Sequence, residues 1–154
     1  MATRRLMRFV FAIVTTAVIT SCNIAGKHNP NGAKGVAESF SREYFNLRYK
    51  NAAKYCTKGS EQWLKFAASQ ISGEDIETLR TANDEAEVKI EKEDGDDRHS
   101  TVTVIVSNYF EADTIGRSGH FNDKGTFRLS LVREGKEWKV RMEGLPRNER
   151  QSLG

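Results

Sequence analysis

Few side chains in this 154-residue chain have the type and spacing that chemistry demands. Tyr44, Asn108 and Asp123 are the candidates for a shared pocket. Asn108 has the same alternation as Val102, Val104, Val106 and Phe110, which aims a polar amide at the buried side of a strand. There it must find a partner or line a cavity. Asp123 has the alternation of Phe127 and Leu129 if its strand starts early, and Tyr44 falls on the apolar side of a helix. Together the three could move a proton, because a base in an apolar pocket has a raised pKa. Plainer accounts compete. Asn108 could be a satisfied core amide or a bulge that flips the alternation, and Asp123 a turn aspartate ahead of Lys124-Gly125.

Metal and cofactor chemistry finds little to work with. His28, His99 and His120 do not stand three or four residues apart, and the two cysteines form no thiolate cluster. No zinc site is expected. Neither a P-loop nor a Gly-x-Gly-x-x-Gly run occurs, so no cofactor is expected. Gly116-Arg117-Ser118-Gly119 has the composition of a backbone clamp for nucleic acid but lies between strands, and reads as a loop. Cys56, after Ala52, Ala53 and Tyr55, reads as a small buried apolar group.

Cys22 is different. Arg4, Arg5 and Arg8 precede an 11-residue apolar stretch, Phe9 to Ile19, broken only by Thr15 and Thr16. A bilayer-spanning helix needs roughly 20 residues, so the pattern fits a secretory signal over residues 1–21 better than a permanent anchor. Ile19-Thr20-Ser21-Cys22 resembles the lipobox of bacterial lipoproteins. The resemblance implies that the Cys22 thiol takes a diacylglyceryl group and that the chain is cut before it. A thiol is required because it is a soft, strong nucleophile. Each buried CH2 contributes about 0.8 kcal/mol, so two or three acyl chains hold a protein firmly on a bilayer. The expected location is the bacterial cell envelope, at the outer membrane. With Cys22 acylated, Cys56 has no partner in the chain and the domain folds without a disulfide.

The same arginines account for the formal charge of +3: without them, 21 basic residues face 21 acidic ones. A neutral remainder gives no case for a nucleic-acid partner. Charge is still segregated. Residues 74–97 hold eleven acids against Arg80, Lys89 and Lys92, whereas residues 22–73 are net positive. A solvated face is the plain reading, and a docking face for a basic partner the other.

The elements that must position these groups follow from periodicity. Residues 22–33, with Asn29-Pro30-Asn31-Gly32, read as a polar tether. It spans about 40 Å fully extended. A domain is expected over 34–145, with a polar, loose tail over 146–154. Val36, Phe40, Tyr44 and Leu47 mark the apolar face of a first helix. A short second helix covers Ala52 to Cys56. Ser60 is placed to cap a third, whose stripe is Trp63, Leu64, Phe66, Ala67 and Ile71. Ser72 is placed to cap a fourth, with Glu74 and Asp75 at its positive end and Ile76 and Leu79 inward. After Asn83 the period drops to two. Strands are expected at Ala86–Glu91, Thr101–Phe110, Thr126–Leu131 and Trp138–Met142, with turns at Asp94–Asp97 and Glu134-Gly135-Lys136. Residues 116–125 read as loop or hairpin. Clean alternation marks an antiparallel sheet, and helices ahead of strands mark an α+β fold.

Helix, Asn51-Ala52-Ala53-Lys54-Tyr55-Cys56, further helices and a meander closing on Val132-Arg133-Glu134-Gly135-Lys136-Glu137-Trp138-Lys139-Val140 resemble the nuclear transport factor 2-like (cystatin-like, cone-shaped) superfamily. Within it, the chain is similar to small bacterial lipoproteins. The resemblance covers roughly residues 34–144. It implies N-terminal helices packed on a curved four-stranded antiparallel sheet, often with a pocket at the open end, and frequent homodimers. Some members are isomerases, dehydratases or cyclases, and many bind ligands without catalysis. No catalytic motif of the enzyme branches carries over here. The expected role is therefore non-catalytic binding of a small ligand or a protein partner at the membrane. A pocket enzyme and a purely structural envelope protein are the alternatives.

Overall fold

A computed structural model describes residues 29–114 and 116–151. The expected signal, the lipobox-like run and most of the expected tether lie outside them. Among the described residues, four α-helices precede four strands: α1 (Ala33–Phe45), α2 (Tyr49–Ala52), α3 (Glu61–Ser69), α4 (Gly73–Thr81), β1 (Glu87–Gly95), β2 (His99–Glu111), β3 (His120–Glu134) and β4 (Glu137–Arg141). The strands form one antiparallel sheet in the order β1-β2-β3-β4. The fold is α+β, with helices on a curved open sheet.

The last hairpin closes through Gly135 at φ +61, with Glu134 opposite Glu137. A left-handed backbone in a two-residue connection matches the twist of paired strands, and glycine adopts it without Cβ strain. Alternation then fixes the core. Val102 stands opposite Leu129, Val104 opposite Phe127, and Leu131 opposite Val140, all buried. Over them lies α1, which packs on all four strands. Its buried positions Ala33, Val36, Ala37, Phe40, Ser41, Tyr44 and Phe45 recur at helical spacing.

Several local expectations change. Helix α1 ends at Phe45, so Leu47 does not extend its stripe and sits at φ +60. The cause is Asn46, whose Nδ2 donates to the Ala86 carbonyl (3.2 Å) while its Oδ1 accepts the Ala86 N–H (2.8 Å). This two-way amide contact ties the helix end to the approach of β1. Ser60 makes no capping bond. It is buried, and its hydroxyl accepts the Met142 N–H at 2.8 Å, which joins α3 to the end of β4. Ser72 does cap α4, in a reciprocal pair with Asp75. Ile76 is not inward but 44% exposed.

Strand β3 starts at His120, so Asn122 to Gly125 lie inside it and are not loop. Extended β2 offers them partners from Val106 to Tyr109. Gly125 is required there: a Cβ would sit 2.7 Å from the Tyr109 hydroxyl and 2.9 Å from the Phe127 ring. The polar segment after Pro146 is not loose up to Gln151. Asn148 pairs with Phe127, accepts the Thr126 N–H (3.2 Å) and donates to the Tyr109 hydroxyl (3.3 Å). Asn29 to Gly32, the end of the expected tether, form a turn closed by Gly32 N–H to the Asn29 carbonyl (3.0 Å). Among the described residues no helix is long and apolar enough to cross a membrane.

Candidate functional site

Where α1 runs out, the sheet continues, and a cavity of about 560 Å3 opens between them. From α1 come Tyr44 and Phe45, from α2 Tyr49, and from α3 Trp63 and Phe66. The end of β2 supplies Tyr109, Phe110 and Glu111, β3 supplies Phe127, and the segment 143–147 closes one side. The rings stand largely edge to face. Tyr44 meets Phe45 at 5.1 Å and 81°, and Tyr49 at 5.4 Å and 70°; Phe45 meets Tyr109 at 5.6 Å and 72°. This arrangement is favourable for aromatic quadrupoles and leaves ring faces directed at right angles. Phe66, expected in the buried stripe of α3, is 47% exposed and belongs to the cavity lining; Leu64 and Ala67 carry the burial.

Polar groups interrupt this lining, among them three tyrosine hydroxyls and the Glu111 carboxylate. Burial, followed by the proximity of Tyr49 and the Glu111 charge, raises the Tyr44 hydroxyl far above its ordinary value. Burial pushes Tyr49 up to about 12. Both stay protonated at neutral pH and serve as neutral donors, not bases. Neither has a hydrogen-bond partner among the described residues. Tyr109 is raised by burial and by Glu111, against the Asn148 amide that bonds its hydroxyl. Glu111 is half-buried; its Oε2 accepts Asn122 Nδ2 at 2.9 Å.

The three residues expected to converge do not. Tyr44 lines the cavity. Asn108 sits at φ +52, and its Nδ2 donates to the carbonyls of Asp84 (3.3 Å) and Glu85 (3.5 Å). The left-handed residue flips the alternation of β2, so Tyr109 takes the buried position and Asn108 faces a groove beside the start of β1. Asp123 is exposed on β3 and does not line the cavity. A proton-transfer trio is not assembled. What periodicity missed is the run Tyr109-Phe110-Glu111, where two adjacent buried rings break strict alternation, and Trp63 with Phe66, one turn apart on α3.

Elsewhere, Cys56 is buried, its thiol raised by burial and donated to the Ala53 carbonyl at 3.6 Å. His99 and His120 are exposed, and among the described residues no cluster could hold a metal ion. A polar depression of about 690 Å3 lies between the β1–β2 turn, β3, β4 and residues 143–149. It lacks the aromatic lining that would retain an apolar ligand. No family model matches the chain, and no curated protein does either.

Proposed function

We propose that this protein is exported, held at the bacterial cell envelope by lipid on Cys22, and binds a small ligand non-catalytically in the aromatic cavity. The observation that carries the reading is the 560 Å3 opening, whose lining includes eight tyrosine, phenylalanine and tryptophan rings. Such a lining retains small apolar molecules, since burying their surface contributes roughly 25 cal/mol per Å2. The architecture is compatible with the nuclear transport factor 2-like superfamily, in which such an opening often serves as a ligand pocket. The anchor is supported by Arg4, Arg5, Arg8, the apolar stretch to Ile19 and Ile19-Thr20-Ser21-Cys22.

Two measurements test the two halves. In bacteria fed labelled palmitate, label enters the wild type and not Cys22→Ser, and only the wild type stays with the membranes. Unprocessed, unlabelled full-length protein in the cytosol overturns the anchor. For the cavity, the neutral fluorophore N-phenyl-1-naphthylamine binds saturably and quenches Trp63. Trp63→Phe removes that quenching, since Trp138 lies apart on β4. Absence of saturable binding overturns the ligand reading.

A further inference from the structure

We propose that the cavity selects organic cations: a ligand with an ammonium head and an apolar body, the head placed between Glu111 and the tyrosine rings. The inference rests on the ligand-binding reading above and specifies its chemistry.

Charge is the first argument. Four acidic or basic side chains line the opening: Glu111, Asp113, Glu143 and Arg147. Glu143 is already paired with Arg141 at 3.0 Å. Asp113 accepts the Thr114 N–H and feels Arg117 and His120 nearby. Arg147 is exposed. Glu111 and Asp113 are both half-buried, and the hydrogen bond of Glu111 is to the neutral amide of Asn122. No cation pairs with it among the described residues. A carboxylate at an apolar wall without a counter-charge favours a ligand that brings one.

Ring geometry is the second argument. Tyr44, Phe45 and Tyr49 meet at steep angles within 5.4 Å of one another's centroids along the two Tyr44 contacts. Where such rings line the cavity, a negative ring face attracts an ammonium group placed over it. Glu111, Tyr44 and Tyr49 line the same cavity. Carboxylate and rings therefore address the same region. Trp63, Phe66 and Phe127 remain for the apolar body.

The test uses three ligands of matched body: 4-phenylbutyltrimethylammonium, 4-phenylbutanol and 4-phenylbutyrate. Each is titrated into the full chain carrying Cys22→Ser, which needs no detergent, and followed by Trp63 fluorescence. The cation is expected to bind at least tenfold more tightly than the alcohol, and the carboxylate most weakly. Glu111→Gln, which retains an acceptor for Asn122, reduces the cation to the affinity of the alcohol and leaves the alcohol unchanged. In the unsubstituted site, raising salt from 0.05 to about 0.5 M shrinks the cation preference severalfold through screening, a readout independent of any Glu111 variant. Equal binding of cation and alcohol, or preference for the carboxylate, overturns the cation proposal while leaving the cavity reading intact. A cation preference that Glu111→Gln and salt both leave unchanged also overturns it. Absence of binding by all three overturns both.

Discussion

Helices α1 and α4 are both polar on average in sequence, yet they are held by opposite means. Helix α1 is covered by all four strands, with Phe40 and Ala37 fully buried. Helix α4 buries a single residue, and that residue is Asp75. Its Oδ2 accepts the Ser72 N–H and its Oδ1 the Gly119 N–H, both at 2.8 Å, so one carboxylate caps the helix and fastens it to the β2–β3 connection. Apolar burial is non-directional and survives small shifts. A pin of two directed hydrogen bonds is local, titratable and lost all at once. The fold thus has a cooperative body and an appended helix of lower local stability.

Substitutions can break this contrast at graded cost. The largest effect is expected from Phe40→Ala, at about 3–5 kcal/mol in urea denaturation, through the cavity left under Tyr44, on which Phe40 stacks at 5.5 Å. It should also weaken probe binding, because Tyr44 loses its support. Gly119→Ala comes next. Its Cβ would stand 2.5 Å from the Glu111 carbonyl and from the Phe110 ring, so the connection must shift and the bond to Asp75 breaks. A loss of about 2 kcal/mol is expected, with unchanged exchange protection in α1.

Asp75→Asn sharpens the comparison further. The amide keeps one acceptor and turns an N–H2 toward a backbone N–H, at a cost of about 1–2 kcal/mol confined to residues 72–82. Backbone hydrogen bonds from Ser72 and Gly119, against the opposing effect of burial, hold the Asp75 carboxyl below its ordinary value. A depressed acid stabilises the fold above its unfolded pKa near 3.8, and the contribution fades as pH falls through the lower folded value. Amide exchange in α4 should therefore accelerate below about pH 4 before α1 responds, and Asp75→Asn should show fast α4 exchange at every pH. The smallest effect belongs to the body. Ser41 is fully buried on α1, and its hydroxyl has no partner among the described residues. Ser41→Ala should raise stability by about 1 kcal/mol in thermal unfolding. A loss instead would show that the hydroxyl is satisfied.

The meander, its last turn and the Ser72 cap were legible because each depends on residues a few positions apart. The capping box needs Ser72 and Asp75 and nothing else, and the β3–β4 turn needs Gly135. Other positions depart from their local pattern where a distant group prevails over it. Ser60 has the composition of a cap, but Met142 claims its hydroxyl from 82 residues away. Leu47 fits the α1 stripe, but Asn46 is held by Ala86. Asn108 fits the inward alternation, but the carbonyls of Asp84 and Glu85 attract its amide and the backbone turns left-handed.

What the chain determined by itself is its division into helices and then strands, the α+β class and the apolar faces, since periodicity and turn chemistry act within one element. Which faces meet a partner and which are left facing a cavity was decided only in three dimensions. Phe66 and Leu64 are both apolar residues of α3, and no local signal separates the exposed one from the buried one. Whether a ring is covered depends on how far α1 reaches along the sheet, and that length is settled by an amide of Asn46 bonding a backbone 40 residues away. Aromatic lining and unpaired carboxylate are therefore properties of packing, assembled from segments that carry no trace of one another in sequence.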